Sequence, residues 1–153
     1  MKLSHLDQAG RARMVDVGDK PVSARSAVAT GAIRMSAAAF EQVAAQALAK
    51  GDVLAVSEVA GTLAAKRTAE LIPLCHPVGL DHVAVEAALD ETLPGVRLRA
   101  TVRAVGRTGV EMEALTAVAV GLLTAYDMVK AADPAMVILD VRLVEKQKAP
   151  LDA

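Results

Sequence analysis

The sequence is poor in aromatic residues. Phe40 and Tyr126 are the only two, and tryptophan is absent. A core built from this chain must therefore be packed from Ala, Val, Leu and Ile. RNA modules that stack successive bases on aromatic rings are excluded by the same shortage. Cysteine is almost missing too: Cys75 stands alone, so no intrachain disulfide is available and a reducing compartment fits. Net charge is close to zero, −1 at pH 7, which gives no general pull toward nucleic acid or an anionic membrane. The opening "MKLSHLDQAGRARM" has no apolar core of a secretion signal. The most apolar window, Ala114–Tyr126, falls short of the ~18 residues that cross a bilayer and is flanked by Glu113 and Asp127. The usual nucleotide and metal motifs are missing as well. No GxxxxGK(S/T) or GxGxxG follows a strand, and there is no CxxC or HExxH. His5 and His82 are not in ligand spacing, so no metal site is expected.

At 153 residues with 54% hydrophobic composition, the chain can bury a single real core. One domain over 1–153 is expected, with an arm at about 1–20 holding a short "MVDV" contact segment and a polar tail at about 147–153. Alternation over Ser23–Met35 predicts a strand. Ser36 predicts an N-cap for a helix over 37–49, and Lys50-Gly51-Asp52 punctuates before a second helix running to Pro73. Segments 81–89 and 95–105 alternate around "DETLPG" and predict a hairpin. A long helix is expected over 109–132 and a last strand over 136–146. With the two consecutive helices merged, the order is β-α-β-β-α-β. That predicts an α+β, ferredoxin-like (split βαβ) fold: an antiparallel sheet with helices packed on one face.

Several ionisable residues admit two readings. Glu111 and Glu113 suit the positive end of the long helix, and Lys130 its negative end; Asp127 and Lys130 are i,i+3 neighbours able to pair at the surface. Lys50 is a normal helix-end lysine, and Lys66-Arg67 a normal solvated pair. Cys75 alone is most often a small buried hydrophobe, and His76, between Pro73 and Pro77, a turn residue. The long helix is apolar nearly all round, which predicts cover on both sides: its own sheet, and a second subunit.

Three segments carry more. "AAKRTAELIPLCHPVGL", "TGVEMEALTAVAVGLLTAYDMVKA" and "MVILDVRLVEK", with the early "MVDV", resemble the cyclic pyranopterin monophosphate synthase family of molybdenum-cofactor biosynthesis, the MoaC type. The resemblance runs from about His5 to Lys146. It implies conversion of (8S)-3′,8-cyclo-7,8-dihydroguanosine 5′-triphosphate to cyclic pyranopterin monophosphate with release of diphosphate. It also implies a cytoplasmic homohexamer, a trimer of dimers with sites at the dimer interface, and no cofactor. Carried over by motif, Asp127 is catalytic and Lys50 and Lys130 are the paired active-site lysines. Leu74, Cys75, His76, Met112 and Glu113 contact substrate, and Lys66, Glu111, Lys146 and Arg25 are further pocket positions. The family's glycine-rich tail after the last strand is replaced here by "VEKQKAPLDA".

That chemistry suits the residue list. A departing pyrophosphate builds negative charge that fixed lysines stabilise. Ring opening and reclosure needs proton transfers, and crowding among lysines is expected to lower a lysine pKa toward neutrality. A non-catalytic ligand sensor and an RNA-binding domain are the contrasting readings, the second opposed by the missing aromatics. Glu113 and Asp127 are fourteen residues apart on one expected helix, a rise of roughly 21 Å. A site shared between two antiparallel subunits is therefore expected, with "LCHP" and "GVEME" from one and "YDMVK" with Lys50 from the other.

Overall fold

A computed structural model of the chain describes residues 9–151. Its elements are β1 (Ser23–Arg34), α1 (Ala37–Ala44), α2 (Val53–Lys66), α3 (Thr68–Leu71), β2 (His82–Asp90), β3 (Gly95–Gly106), α4 (Glu111–Val129) and β4 (Val137–Ala149). The sheet order is β2-β3-β1-β4, and every neighbouring pair is antiparallel. This is the split βαβ arrangement expected from the alternation of strands and helices.

Burial along β3 explains the layering. Val96, Leu98, Ala100, Val102 and Ala104 are buried, while Arg97, Arg99, Arg103 and Val105 alternate with them and are exposed. The buried set packs with Ala114, Ala117, Val118, Leu122 and Ala125 of α4 in one core. With so few aromatics, this core closes by close approach of small residues. A Cβ on Gly31 would come within 2.7 Å of Val118 Cγ1, and one on Gly61 within 2.8 Å of the Ala117 carbonyl oxygen. A Cβ on Gly121 would collide with Leu98. Glycines at these points let α4 lie against β1 and α2. By length and apolarity α4 could cross a membrane, but its small-residue face is core, held between the sheet and α2.

Both expected N-caps are present. The Ser36 hydroxyl accepts from Ala39 N–H and the Asp52 carboxylate from Ala55 N–H. Other boundaries differ from expectation, for local reasons. The first helix stops at Ala44 rather than 49, because Gln46 turns to φ 53. Ala47 N–H then bonds Gln42 O and Gln46 N–H bonds Val43 O, which is a Schellman closure. The second helix breaks at Arg67, where the buried Thr68 hydroxyl bonds the carbonyls of Ala64 and Ala65. α4 covers Glu111–Val129, shorter than 109–132. β4 is longer than expected. It runs through 147–149, read from sequence as tail, because β1 still offers partners there: Arg25 pairs Lys148 and Ala24 pairs Ala149. Pro150, which has no N–H, follows. His5 lies outside the described residues, and 9–20 carry only an isolated bridge at Ala12.

Candidate active site

The last turn of α4 gathers three of the expected residues. Lys50 Nζ donates to Asp127 Oδ2 at 2.7 Å and to the Asp127 carbonyl at 2.8 Å. Lys130 Nζ donates to Asp127 Oδ1 at 2.7 Å. Local structure fixes this. Gly51 at φ +90 turns the chain between Lys50 and the Asp52 cap. The far end of α4 is tied to α1: Asp133 accepts from Ser36 N–H at 2.7 Å and Ala135 N–H at 2.9 Å, and Tyr126 donates to Pro134 O at 2.9 Å. All three side chains of the triad are about half exposed. The hydrogen bond from Lys130, then that from Lys50, hold the Asp127 carboxyl down at about 2. Lys130 is correspondingly pushed up by its bond to Asp127. The expected depression of a lysine by crowding is therefore reversed at Lys130. The carboxylate between the two ammonium groups outweighs their repulsion, so Lys130 is a charged donor.

The other end of α4 gathers a second set. The Pro73–Pro77 loop is held by Cys75 N–H to Ile72 O at 3.0 Å. It sends its two adjacent reactive side chains different ways. Cys75 Sγ lies 3.8 Å from Glu113 Oε1, while His76 Nε2 lies 2.7 Å from the carbonyl oxygen of Val15. A carbonyl only accepts, so Nε2 carries a proton and donates it to Val15. The "MVDV" segment thus makes its expected contact, on His76 itself. Glu113 is 3% exposed and its Oε2 has no hydrogen-bond partner. Burial pushes its pKa up. Burial first, then Glu113, pushes the Cys75 thiol up as well. Leu74 is half-buried in the same loop and Met112 is exposed beside Glu113.

Two further groups lie apart. A cavity of about 250 Å³ is lined by Arg25, Ser26, Gly109, Glu111, Lys146, Gln147 and Lys148. Lys146 Nζ reaches Glu111 Oε1 at 3.4 Å, and Arg25 Nη2 donates to Arg107 O at 3.3 Å. Lys66, in the last turn of α2, lines a separate cleft with Thr62, Asp81 and His82. Within one chain the expected residues therefore fall into separate groups, at the two ends of α4 and at the end of α2. Lys148 was not singled out from sequence. Its signal is the Lys146-x-Lys148 spacing, which sets two lysines on one face only if the strand continues. Among the described residues no group of three His, Cys, Asp or Glu side chains is placed to hold a metal ion.

Comparison with known proteins bears on this geometry. The MoaC family model matches residues 14–149. A cyclic pyranopterin monophosphate synthase of Cereibacter sphaeroides (strain KD131 / KCTC 12085) is 56% identical over 145 residues, covering 95% of this chain and 91% of the relative. The protein of the same name from Roseiflexus sp. (strain RS-1) is 58% identical over 144 residues, covering 94% and 91%. That of Chloroflexus aggregans (strain MD-66 / DSM 9485) is 55% identical over 146 residues, covering 95% and 88%.

Proposed function

The chain belongs to the MoaC family, and from that premise we propose that it is a cyclic pyranopterin monophosphate synthase of molybdenum-cofactor biosynthesis. It acts as a lyase on a small molecule, (8S)-3′,8-cyclo-7,8-dihydroguanosine 5′-triphosphate, and releases diphosphate. We assign it one catalytic domain over 1–153, cytoplasmic, working as a trimer of dimers without a cofactor.

Lys50 and Lys130 form the acid–base pair, and Asp127 holds both ammonium groups in place through its two oxygens. Lys130, kept protonated by that carboxylate, enters as the acid and as a fixed charge for the developing phosphate anion. His76, Glu111 and Glu113 hold the guanine-derived ring and the sugar. His76 is oriented by its bond to the Val15 carbonyl, and Glu113, whose pKa burial pushes up, lies beside Cys75 in the same group. Leu74, Cys75 and Met112 shape the walls, and Lys66, Lys146 and Arg25 add positive charge.

One observation carries the proposal that the site is shared. The acid–base triad and the Cys75–Glu113 group sit at opposite ends of one helix, fourteen residues or roughly 21 Å apart. Met112, Ala119, Leu123 and Lys130 fall on one stripe of that helix at seven- and four-residue steps. Met112 is 37% and Leu123 57% exposed. An antiparallel pairing of two such stripes has its centre near position 120, beside Ala119, whose methyl group allows close approach. It brings Glu113 of one copy toward Asp127 and Lys130 of the other. The test has two arms. Incubation with the cyclic triphosphate must release pyrophosphate, and Lys50→Ala and Lys130→Ala must each abolish that release in folded protein. Glu113→Ala and Lys130→Ala chains mixed under subunit exchange must then recover part of the activity, since one site per mixed dimer carries neither defect. Exchange without recovery refutes the shared site.

A further inference from the structure

We propose that Asp133 is a positioning residue of the acid–base triad: it fixes where Lys50 meets Lys130 by tying the turn after α4 to the start of α1. The inference rests on the roles proposed above for the two lysines, and it names the residue that holds their two chain segments together.

The lysines reach Asp127 on different segments. Lys130 closes α4, three residues after Asp127. Lys50 lies fourteen residues beyond Ser36, at the end of a stretch that leaves β1, forms α1 and turns back. That stretch has little to hold it. α1 is eight residues long and buries only Ala39 and Val43. After Ala44 no regular element follows until α2 begins at Val53. A helix of this length is unstable by itself, so the contacts at its ends decide where it lies.

Asp133 supplies the contact at the first end. Its Oδ2 accepts from Ser36 N–H at 2.7 Å, across 97 residues of sequence, and its Oδ1 accepts from Ala135 N–H at 2.9 Å. Ser36 is the N-cap of α1, and its hydroxyl accepts from Ala39 N–H. In a capping box, the backbone N–H of the cap is met by a Glu or Gln three residues on. Here that position is Ala39, which is buried in the core and has no polar atom to reach back with. Asp133 fills that role from a distant segment, and the positive end of the helix favours its charge.

The other side of the bond is fixed to the triad. Ala132 N–H and Asp133 N–H both bond Val129 O, at 2.8 and 3.2 Å. Pro134 stops the helical path. Tyr126, the neighbour of Asp127, donates to the Pro134 carbonyl at 2.9 Å. Asp133 therefore sits three residues after Lys130, in a turn locked to the last turn of α4. Without its carboxylate, Ser36 N–H loses that acceptor and the α1 segment is free to shift against α4. Lys50 then no longer arrives at a fixed distance from Lys130.

The test uses three full-chain variants: Asp133→Ala, Asp133→Asn and Ser36→Ala. Ser36→Ala removes the cap hydroxyl but keeps the N–H that Asp133 holds, so it separates loss of helix stability from loss of the tie. Misplacement on the ångström scale predicts that kcat for pyrophosphate release falls roughly ten- to hundredfold in Asp133→Ala, with KM nearly kept. Asp133→Asn keeps one acceptor oxygen and should fall between Asp133→Ala and wild type. Ser36→Ala should lower Tm and keep kcat. A second readout needs no turnover: carbon-13 NMR titration of the Asp127 carboxyl, whose charged partners are Lys130 and Lys50. Their bonds hold it at about 2, and in Asp133→Ala it should rise toward its ordinary 3.8. In Ser36→Ala it should stay where it is. Wild-type kcat or an unmoved Asp127 titration in folded Asp133→Ala, or both effects reproduced by Ser36→Ala, would overturn the positioning role. If Asp133→Ala does not fold, Asp133→Asn carries the same two measurements. If the wild-type chain releases no pyrophosphate, the proposed activity fails, and the Asp127 titration alone decides the role of Asp133.

Discussion

The contact between α2 and α4 controls where the acid–base triad sits, and Gly61→Ala tests it. A Cβ at Gly61 would lie 2.8 Å from the backbone carbonyl oxygen of Ala117 and 3.1 Å from Val85 Cγ1. A relaxed carbon–oxygen contact needs about 3.3 Å, so the helices must part by roughly half an ångström. Neither obstacle is the free end of a flexible side chain. Overpacking of this kind costs about 1–3 kcal/mol. Replacing a mid-helix glycine by alanine returns about 1 kcal/mol through helix propensity. Because a backbone carbonyl cannot swing aside, the upper half of the cost applies, and the net is about 1–2 kcal/mol of destabilisation. For a chain of this length that lowers Tm by roughly 3–6 °C. The same shift moves the start of α2, where Lys50 meets Asp127. Misplacement by half an ångström should cost roughly tenfold in kcat. Thermal unfolding followed by circular dichroism reads the first effect and pyrophosphate release the second. Gly79→Ala, with nothing within 4 Å of its Cβ, should leave Tm unchanged. A Tm of Gly61→Ala equal to or above wild type would mean that propensity wins and that the two helices are not in tight contact.

Glu113→Gln should alter how stability depends on pH. Burial raises the folded-state pKa of Glu113 above its ordinary 4.5. Stability conferred by the neutral carboxyl is full below 4.5. It is lost as pH rises through the folded-state value, since the unfolded chain ionises first. The glutamine has no such loss, so its Tm relative to wild type should climb as pH rises above 4.5; a difference independent of pH refutes the buried neutral carboxyl. Cys75→Ser should keep substantial activity, and wild-type Cys75 should react slowly with iodoacetamide at pH 7, because its raised pKa leaves little thiolate. Rapid alkylation, or complete inactivity of a folded serine variant, would reopen covalent catalysis.

Elements with one strong local cause were legible from sequence. Ser36 and Asp52 announced their helices because a cap acts within three residues. The two hairpin strands alternated because one face of β3 meets the core and the other does not. Helix ends set against the prevailing local preference, and a strand end set by a distant partner, were not legible. Gln46 in a left-handed conformation and Thr68 bonding back to Ala64 are choices made against competing local preferences. The last residues of β4 are polar and carry no strand signal of their own. They are extended because β1 is long enough to pair them.

The candidate site divides in the same way. Residue identity was set by the sequence: a lysine before Gly51-Asp52, an aspartate three residues before Lys130, and a histidine between two prolines. These are short-range patterns, and motif and chemistry could be read from them directly. Distance and charge state belonged to the tertiary structure. Seventy-seven residues separate Lys50 from Asp127, and only the packing of α2 on α4 brings them to 2.7 Å. The expected pKa of Lys130 is turned from lowered to raised by its bond to Asp127, one turn away on α4, because a carboxylate in direct contact holds the ammonium charged. Glu113 reads from sequence as a first-turn acid favoured by the helix dipole. Burial beneath the Cys75 loop is what pushes its pKa up instead.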